Sequence, residues 1–181
     1  MHELKSKNLR ATFSTLGARL VSVFVDGVDV IMGGGTDAQI MAGDWTAGAI
    51  CGRIAGRISN ARFTLDGTEH KLTANMGEHQ LHGGPDNFAV RRWTAQSTDN
   101  SIRFAINSED GDQGFPGAIS AEATYTIDGN TLSLDFTAVT AKPTVINLTN
   151  HTYWNPVSYT HLRAHETVLD LVCRLLLEKK K

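Results

Sequence analysis

The sequence predicts an all-β protein, built as an antiparallel sandwich or barrel. Two observations support this fold class. Turn signals recur at short intervals between runs of β-branched and aromatic residues, and helix-length periodicity is absent before about residue 157. A succession of β-α-β units would need helical segments between the strands, so that class is excluded. We therefore expect antiparallel strands joined by tight turns.

Three hairpins are predicted, each with an aspartate and a glycine at its tip. The first turns at Asp26-Gly27, within "ATFSTLGARLVSVFVDGVDVIM", and the second at Asp66-Gly67, within "ARFTLDGTEHKLTAN". The third turns at Asp128-Gly129-Asn130, within "AEATYTIDGNTLSLDFTAVT", where alternation places Tyr125 and Ile127 on one face. Asp-Gly pairs adopt the positive φ values of the turns that match strand twist, so each pair indicates two antiparallel strands.

The composition is that of an ordinary globular chain. Its 181 residues are 41% hydrophobic and 20% charged, with a formal net charge of −2. Such a chain can bury one core and lacks the basic excess that attracts nucleic acid or anionic membranes. The N-terminus has no signal-peptide pattern, and no apolar run is long enough to span a bilayer. The distant Cys51 and Cys173 are expected to be reduced thiols, so we predict a cytoplasmic protein without nucleic-acid or membrane partners.

The chain changes character near residue 156. Residues 1–155 carry the β pattern, whereas residues 156–181 have leucines at helical spacing and end in three lysines. Within the second part, "VSYTHLRAHET" resembles the translation of a transposase-type sequencing adaptor, and "DLVCRLLLE" resembles the flow-cell primer that follows it. We therefore expect residues 156–181 to be a non-native read-through tail, able to form a helix but without a role in function.

Two short motifs contain side chains suited to binding. "GRIAGRISNARF" places Arg53 and Arg57 four residues apart among small residues, where a guanidinium can present its donors to a ligand or form a surface ion pair. "GEHQLHGG" holds His79 and His82 at a spacing that suggests a metal pair, but nothing in the sequence supplies a third ligand. The acidic "DGDQGFPG" lacks the spacing of a calcium loop and is interpreted as a turn. We predict no metal site and no cofactor.

His151 lies in "NLTNHTYW", beside Tyr153 and Trp154 and at the end of a predicted strand. A histidine among aromatic residues can be a packed core side chain. It can equally line a sugar site, where aromatic rings pack on C–H faces and an imidazole exchanges protons near neutral pH. The spacing by itself leaves both alternatives open.

Five motifs together resemble one family. "GARLVSVFVDG", "GAICGRIAGRISNARFTLDG", "LHGG", "DGDQGFPG" and "INLTNHTYWN" occur in the order and at the separations of the aldose 1-epimerase (galactose mutarotase) family. The resemblance covers residues 1–155, which correspond to about the N-terminal half of that family's single domain. It implies an antiparallel β-supersandwich that is galactose mutarotase-like and truncated.

The resemblance also implies an activity and a set of site residues. The family interconverts the α and β anomers of a free hexose by acid–base ring opening, without a cofactor. It makes His151 the general acid, His82 both a catalytic-site and a sugar-binding residue, and Arg57 a sugar ligand. Tyr153 is a further predicted sugar contact. Gly56 stands where many members have asparagine. The family's general base, a glutamate of the second half, has no counterpart here, so the resemblance implies an inactive fragment.

Two other functions stay open on the sequence alone. One is a carbohydrate-binding module of the same fold without turnover. The other is a sugar-phosphate epimerase, which needs basic residues near its phosphate; the available Arg91 and Arg92 are interpreted as exposed strand positions. We also expect the strand ending at "TVINLTNHTYW" to present an unpaired edge, because its partners in the family belong to the second half.

Overall fold

The computed structural model describes residues 1–32 and 35–155, and most of these residues lie in strands or the turns between them. In chain order, the strands are β1 (His2–Lys5), β2 (Leu9–Ser14), β3 (Arg19–Val25), β4 (Val28–Asp29), β5 (Ile31–Met32), β6 (Ile50–Cys51), β7 (Arg57–Ile58), β8 (Arg62–Leu65), β9 (Thr68–Lys71), β10 (Gln80–Leu81), β11 (Thr94–Ser97), β12 (Ser101–Ser108), β13 (Ile119–Asp128), β14 (Thr131–Thr140), β15 (Thr149–Asn150) and β16 (Tyr153–Trp154). The helical segments are α1 (Asp37–Ala42) and two 3-10 turns, Ser59–Ala61 and Asp112–Gly114. The predicted C-terminal helix falls in residues 156–181 and lies outside the described residues.

Two antiparallel meanders form the body of the described chain. One has the strand order β1-β2-β3-β4 and the other the order β11-β12-β13-β14. Along β13, every second residue is buried, and Tyr125 and Ile127 belong to the buried set. Their predicted common face is therefore confirmed, and so is the all-β fold class.

All three predicted hairpins are present. The turn at Asp26-Gly27 joins β3 to β4, and the turn at Asp66-Gly67 joins β8 to β9. The third hairpin joins β13 to β14 through Gly129-Asn130, with Asp128 as the last residue of β13. Asp26 and Asp66 both have φ of 49°, the left-handed conformation that these tight turns require.

Aromatic side chains join the two meanders. Phe13 of the first sheet contacts Tyr125 and Phe104 of the second, with ring centroids 4.7 and 6.2 Å apart. The Tyr125 hydroxyl donates to the backbone carbonyl of Ala18, 3.2 Å away. This buried hydrogen bond satisfies the polar end of a ring whose body fills the core.

Helix α1 departs from the sequence prediction, which expects no helix before about residue 157. Six residues are too few to generate a detectable helical period. A capping box was the available signal: the Gln39 N–H donates to the Thr36 hydroxyl, and the Thr36 N–H donates to the Gln39 side chain. The helix buries Ile40 and leads the chain toward Asp44.

The last two strands of the described chain, β15 and β16, form short pairs with earlier strands. β15 pairs with β6 and β16 pairs with β5, so each has a strand partner on one side, and the expectation of an unpaired edge at this stretch stays a prediction for its other side. Within the described part of the chain, β14 is a long edge strand of the second meander, with a strand partner only on its β13 side. On β14, Phe136 is exposed and Val139 is 73% exposed. No helix among the described residues has the length and apolar character to cross a membrane.

Candidate active site

His151 follows β15 and has its backbone held by the segment before β6. Its N–H donates to the carbonyl of Ala49 (2.8 Å), and its own carbonyl accepts from Gly48 N–H (2.9 Å). The neighbouring Asn150 amide donates to the Gly48 carbonyl (2.8 Å) and to the hydroxyl oxygen of Tyr125 (3.1 Å). The imidazole therefore extends from backbone that is fixed to the buried core.

His82 follows β10 and is fixed by two hydrogen bonds to Gly56. The backbone N–H of His82 donates to the Gly56 carbonyl (2.9 Å), and the N–H of Gly56 donates to His82 Nδ1 (3.0 Å). Because Nδ1 accepts, the neutral ring carries its proton on Nε2. Burial, together with the charges of His151 and Arg57, lowers the pKa of His82 below its ordinary value, which favours this neutral donor form.

Gly83, the glycine after His82, allows the His82 loop to approach the segment around Gly52. A Cβ at Gly83 would lie 2.0 Å from the carbonyl oxygen of Gly52, and the residue has φ of +95°. The clash with backbone excludes a side chain, and the positive φ adds strain for residues other than glycine. The "LHGG" motif is therefore required for the close packing that brings the His82 loop onto the Gly52 segment.

Four rings form a cluster at this surface. The His82 and His151 rings meet edge to face at a centroid distance of 5.2 Å, and His151 meets Tyr153 in the same manner at 5.1 Å. Trp45 adds an edge contact to His82 at 6.3 Å. The two histidines are partly buried and Tyr153 is exposed. An open cluster of imidazole donors and aromatic rings suits a polyhydroxylated ligand.

The two arginines of "GRIAGRISNARF" have different environments. Arg57 is exposed in β7, opposite Leu81 and therefore next to His82, and its Nε donates to Met76 Sδ at 3.2 Å. Arg53 is only 2% exposed and is surrounded by backbone carbonyls. Burial thus separates two residues that spacing alone left equivalent: Arg57 lies at the ring cluster, and Arg53 is structural.

Sequence reasoning missed Asp44 and Trp45. The Tyr153 hydroxyl donates to Asp44 Oδ2 (2.9 Å), and Thr46 N–H donates to Asp44 Oδ1 (2.9 Å). Burial acts to raise the pKa of Asp44, but the hydrogen bonds from Thr46 and Tyr153 and the charge of His151 hold it below its ordinary value. Asp-x-Thr is a recognisable turn pattern, but its proximity to the histidines depends on tertiary structure.

The interpretation of Arg91 and Arg92 as exposed strand positions is wrong for Arg91. Its guanidinium donates to both Asp112 oxygens (2.6 and 2.7 Å) and to Asp86 (2.9 Å), and its side chain is 20% exposed. Arg92 is exposed but pairs with Asp37 at 3.0 Å. Both arginines precede β11 and are occupied by carboxylates.

Three other sequence features have structural roles or partners. The "DGDQGFPG" stretch contains the 3-10 turn Asp112–Gly114, as its interpretation as a turn expects. His79 Nδ1 accepts from the N–H of Asn60 (2.9 Å), and among residues 1–32 and 35–155 no three His, Cys, Asp or Glu side chains are grouped to hold a metal. Cys51 is a buried free thiol, and burial raises its pKa to about 12.

Comparison with known sequences matches this chain to one family. The family model described as aldose 1-epimerase matches residues 1–170. The aldose 1-epimerase of Haemophilus influenzae is 48% identical over 110 residues, which cover 60% of this chain and 32% of that protein. The galactose mutarotase of Sus scrofa is 36% identical over 158 residues, which cover 84% of this chain and 46% of that protein. The chain thus spans about a third to a half of the length of these relatives.

Solved structures give the same match. An aldose epimerase homologue from C. elegans superposes with a TM-score of 0.81 at 32% identity, over 87% of this chain and 51% of that chain. A galactose 1-epimerase from Lactobacillus acidophilus NCFM superposes with a TM-score of 0.76 at 27% identity, over 84% and 48%. The family match covers residues 1–170 and does not test the expected boundary between residues 1–155 and the tail at 156–181. That boundary stays a prediction. From the sequence match and the shared fold, we conclude that this chain belongs to the aldose 1-epimerase family.

Proposed function

We propose that this chain carries the acid and the sugar-binding contacts of an aldose 1-epimerase site, which interconverts the anomers of a free hexose. The observation that carries the proposal is the edge-to-face contact of His82 and His151 at 5.2 Å, beside Tyr153. Two imidazoles this close disfavour simultaneous protonation. The lowered pKa of His82 supports a neutral donor role for that ring, which leaves His151 as the proton-exchanging ring.

In the proposed reaction, the His151 imidazolium gives its proton to the ring oxygen of the sugar while a general base removes the proton of the anomeric hydroxyl. The bond between the anomeric carbon and the ring oxygen breaks, and an open-chain aldehyde forms. Rotation exposes the opposite face of the carbonyl, the hydroxyl re-adds, and the acid and base exchange roles. Histidine suits this task because its charge changes near neutral pH.

The remaining members of the cluster would hold the sugar. In its neutral form His82 donates from Nε2, and Arg57 offers several N–H donors at an exposed position. The rings of Trp45 and Tyr153 can pack against C–H faces of the hexose. Holding the ring oxygen near His151 lowers the barrier by removing rotational and translational freedom before the reaction.

The proposal assigns the general base to a carboxylate outside residues 1–155. Asp44 is close to the cluster, but its carboxylate already accepts hydrogen bonds from Tyr153 and Thr46. Its lowered pKa also makes it a weaker base than an ordinary aspartate. We therefore propose that the chain alone has no mutarotase turnover.

A chimera tests the proposal. Residues 1–155 would be joined to the remaining C-terminal part of the Haemophilus influenzae relative, and mutarotation of freshly dissolved α-D-glucose and α-D-galactose followed by polarimetry. We expect turnover by the chimera and none by the chain alone. His151→Gln should lower turnover about 10²–10⁴-fold. His70→Gln is the matched control, because His70 stacks on Phe63 in the β8–β9 hairpin and is assigned no role in the site.

Two results would decide against the acid assignment. Near-parental turnover by the His151→Gln chimera would refute it directly. Saturable sugar binding by a folded chimera without any turnover would instead favour a carbohydrate-binding module, for which the exposure of Tyr153 (39%) and Trp154 (59%) is the supporting observation. A sugar-phosphate substrate is disfavoured because Arg91 and Arg92 are engaged by carboxylates.

A further inference from the structure

The segment from Asp44 to Ala49 is anchored from the protein interior. The guanidinium of Arg19, which is 0% exposed, donates to the backbone carbonyls of Ala47, Trp45 (2.9 Å) and Ala89 (3.3 Å). A buried charge without such acceptors would be strongly destabilising. The conformation of this segment is therefore coupled to the core, and the segment in turn holds the backbone of His151.

Asp44 connects this anchored segment to the ring cluster. Its Oδ1 accepts from the backbone N–H of Thr46 (2.9 Å) and from the Thr46 hydroxyl, which orient the carboxylate. Its Oδ2 accepts from the hydroxyl of Tyr153 (2.9 Å). The Tyr153 ring lies 5.1 Å from the ring of His151, so the carboxylate restrains the ring that packs against the imidazole.

The charged and titratable groups around Asp44 come from several elements. The groups whose charges interact with it are Arg19 of β3, Cys51 of β6, His82 after β10, His151 after β15 and Tyr153 of β16. Arg57 of β7 acts on His82 as a further positive charge. Within this set, Asp44 contributes the negative charge at neutral pH, because burial keeps the Cys51 thiol protonated.

We propose that Asp44 is a positioning residue of the sugar site. It restrains Tyr153 against His151, and the negative charge of its carboxylate stabilises the His151 imidazolium. The role rests on the proposed function of the site. Asp44 acts through a hydrogen bond that orients a ring and through a charge that stabilises the protonated, acid-competent imidazole. It touches neither the sugar nor the reacting atoms in this scheme.

NMR of the 181-residue chain separates the two effects. Asp44→Asn preserves the size of the side chain and an acceptor for the Tyr153 hydroxyl but removes the charge. We expect the nuclear Overhauser contact between the Tyr153 and His151 rings to persist, and the pKa of His82 to fall further, since the Asp44 carboxylate currently raises it. Asp44→Ala should abolish the ring contact as well. Tyr153→Phe should weaken the ring contact without changing the His82 titration.

Asp86→Asn is the matched control for net charge. Asp86 forms a surface pair with Arg91, so its loss removes one negative charge without touching the cluster. It should leave both the ring contact and the His82 titration unchanged. Persistence of the Tyr153–His151 contact in Asp44→Ala, together with an unchanged His82 titration in Asp44→Asn, would overturn the proposal.

Turnover by the chimera provides a second readout. Asp44→Asn should lower kcat most on the alkaline side of the profile, with little change in KM, because the acid loses the neighbouring negative charge. A merely structural role would lower kcat equally at every pH, and that result would also overturn the proposal. An unsubstituted chimera without turnover would refute the proposed function instead, and the NMR experiment would still decide the positioning role.

Discussion

Replacing Arg53 by methionine should destabilise the fold far more than replacing any surface arginine. The Arg53 guanidinium ties the segment after β6 to the end of β12 and to the "DGDQGFPG" loop. It donates to the carbonyls of Ser108 (3.0 Å), Glu109 (2.6 Å) and Gly117 (2.6 Å), and to the Ser108 hydroxyl (3.0 Å from Nε). A methionine would fill similar volume and leave all of these acceptors without their donor.

The expected magnitude follows from the number and charge of these hydrogen bonds. A hydrogen bond to a charged group contributes roughly 1.5–3 kcal/mol, although the contributions within one network do not add. Dehydration of the buried guanidinium offsets part of this gain, and the same burial lowers the pKa of Arg53. We therefore expect a loss of about 3–5 kcal/mol in the free energy of unfolding, against a total of about 5–15 kcal/mol for a typical domain.

Urea unfolding monitored by fluorescence measures this loss, with the buried Trp93 as a reporter of the core. With a slope of about 1–3 kcal/mol per molar urea, the midpoint should fall by at least about 1 M. Arg103→Met is the control, because Arg103 forms an exposed pair with Glu122 and should cost less than about 1 kcal/mol. Equal midpoints for the two variants would refute the reasoning that the Arg53 network is structural.

Four further outcomes are expected. In the chimera, Arg57→Ala should weaken sugar binding by roughly 1.5–3 kcal/mol and His82→Ala by about 0.5–1.5 kcal/mol, since a charged donor contributes more than a neutral one. Calorimetric titration with galactose measures both affinities. Unchanged affinity in both variants would show that neither residue binds the sugar. His151→Ala should leave the affinity for galactose within about tenfold of the parent while turnover collapses. Polarimetry measures the turnover and calorimetry the affinity, and a loss of affinity that matches the loss of turnover would show a binding role instead. Gly56→Asn should be tolerated, because a Cβ there meets nothing within 4 Å and asparagine accepts positive φ; a thermal shift above about 8 °C would contradict this. Val139→Lys should raise the soluble yield of the chain by charging the open edge strand β14, whereas an unchanged yield would show that aggregation starts elsewhere.

Local signals account for the parts of the fold that the sequence predicted correctly. The Asp-Gly turns at residues 26–27 and 66–67 specify positive φ through the chain itself, so the hairpins follow without tertiary information. Alternation likewise placed Tyr125 and Ile127 on the buried face of β13. The short helix α1 escaped because six residues are too few for a period and because its capping box is a weaker signal.

Long-range proximity is what the motifs could not supply. Arg53 and Arg57 have the same residue type and similar neighbours, and only packing shows that the first is enclosed by carbonyls and the second exposed beside His82. Arg91 was wrongly interpreted as an exposed strand position, because its ion-pair partner Asp112 is distant in sequence. Charge pairs across the fold leave no trace in local spacing.

The sequence by itself determined the strand pattern, the hairpin tips and, through five motifs in register, the family to which this chain belongs. Tertiary structure decided which side chains meet. Asp44 reaches Tyr153 only because Arg19 anchors the segment before β6 from within, while β16 pairs with β5 on the other side. Strand periodicity is a property of neighbours along the chain, whereas a site assembled from residues 44, 82 and 151 depends on packing between elements that local physics does not encode.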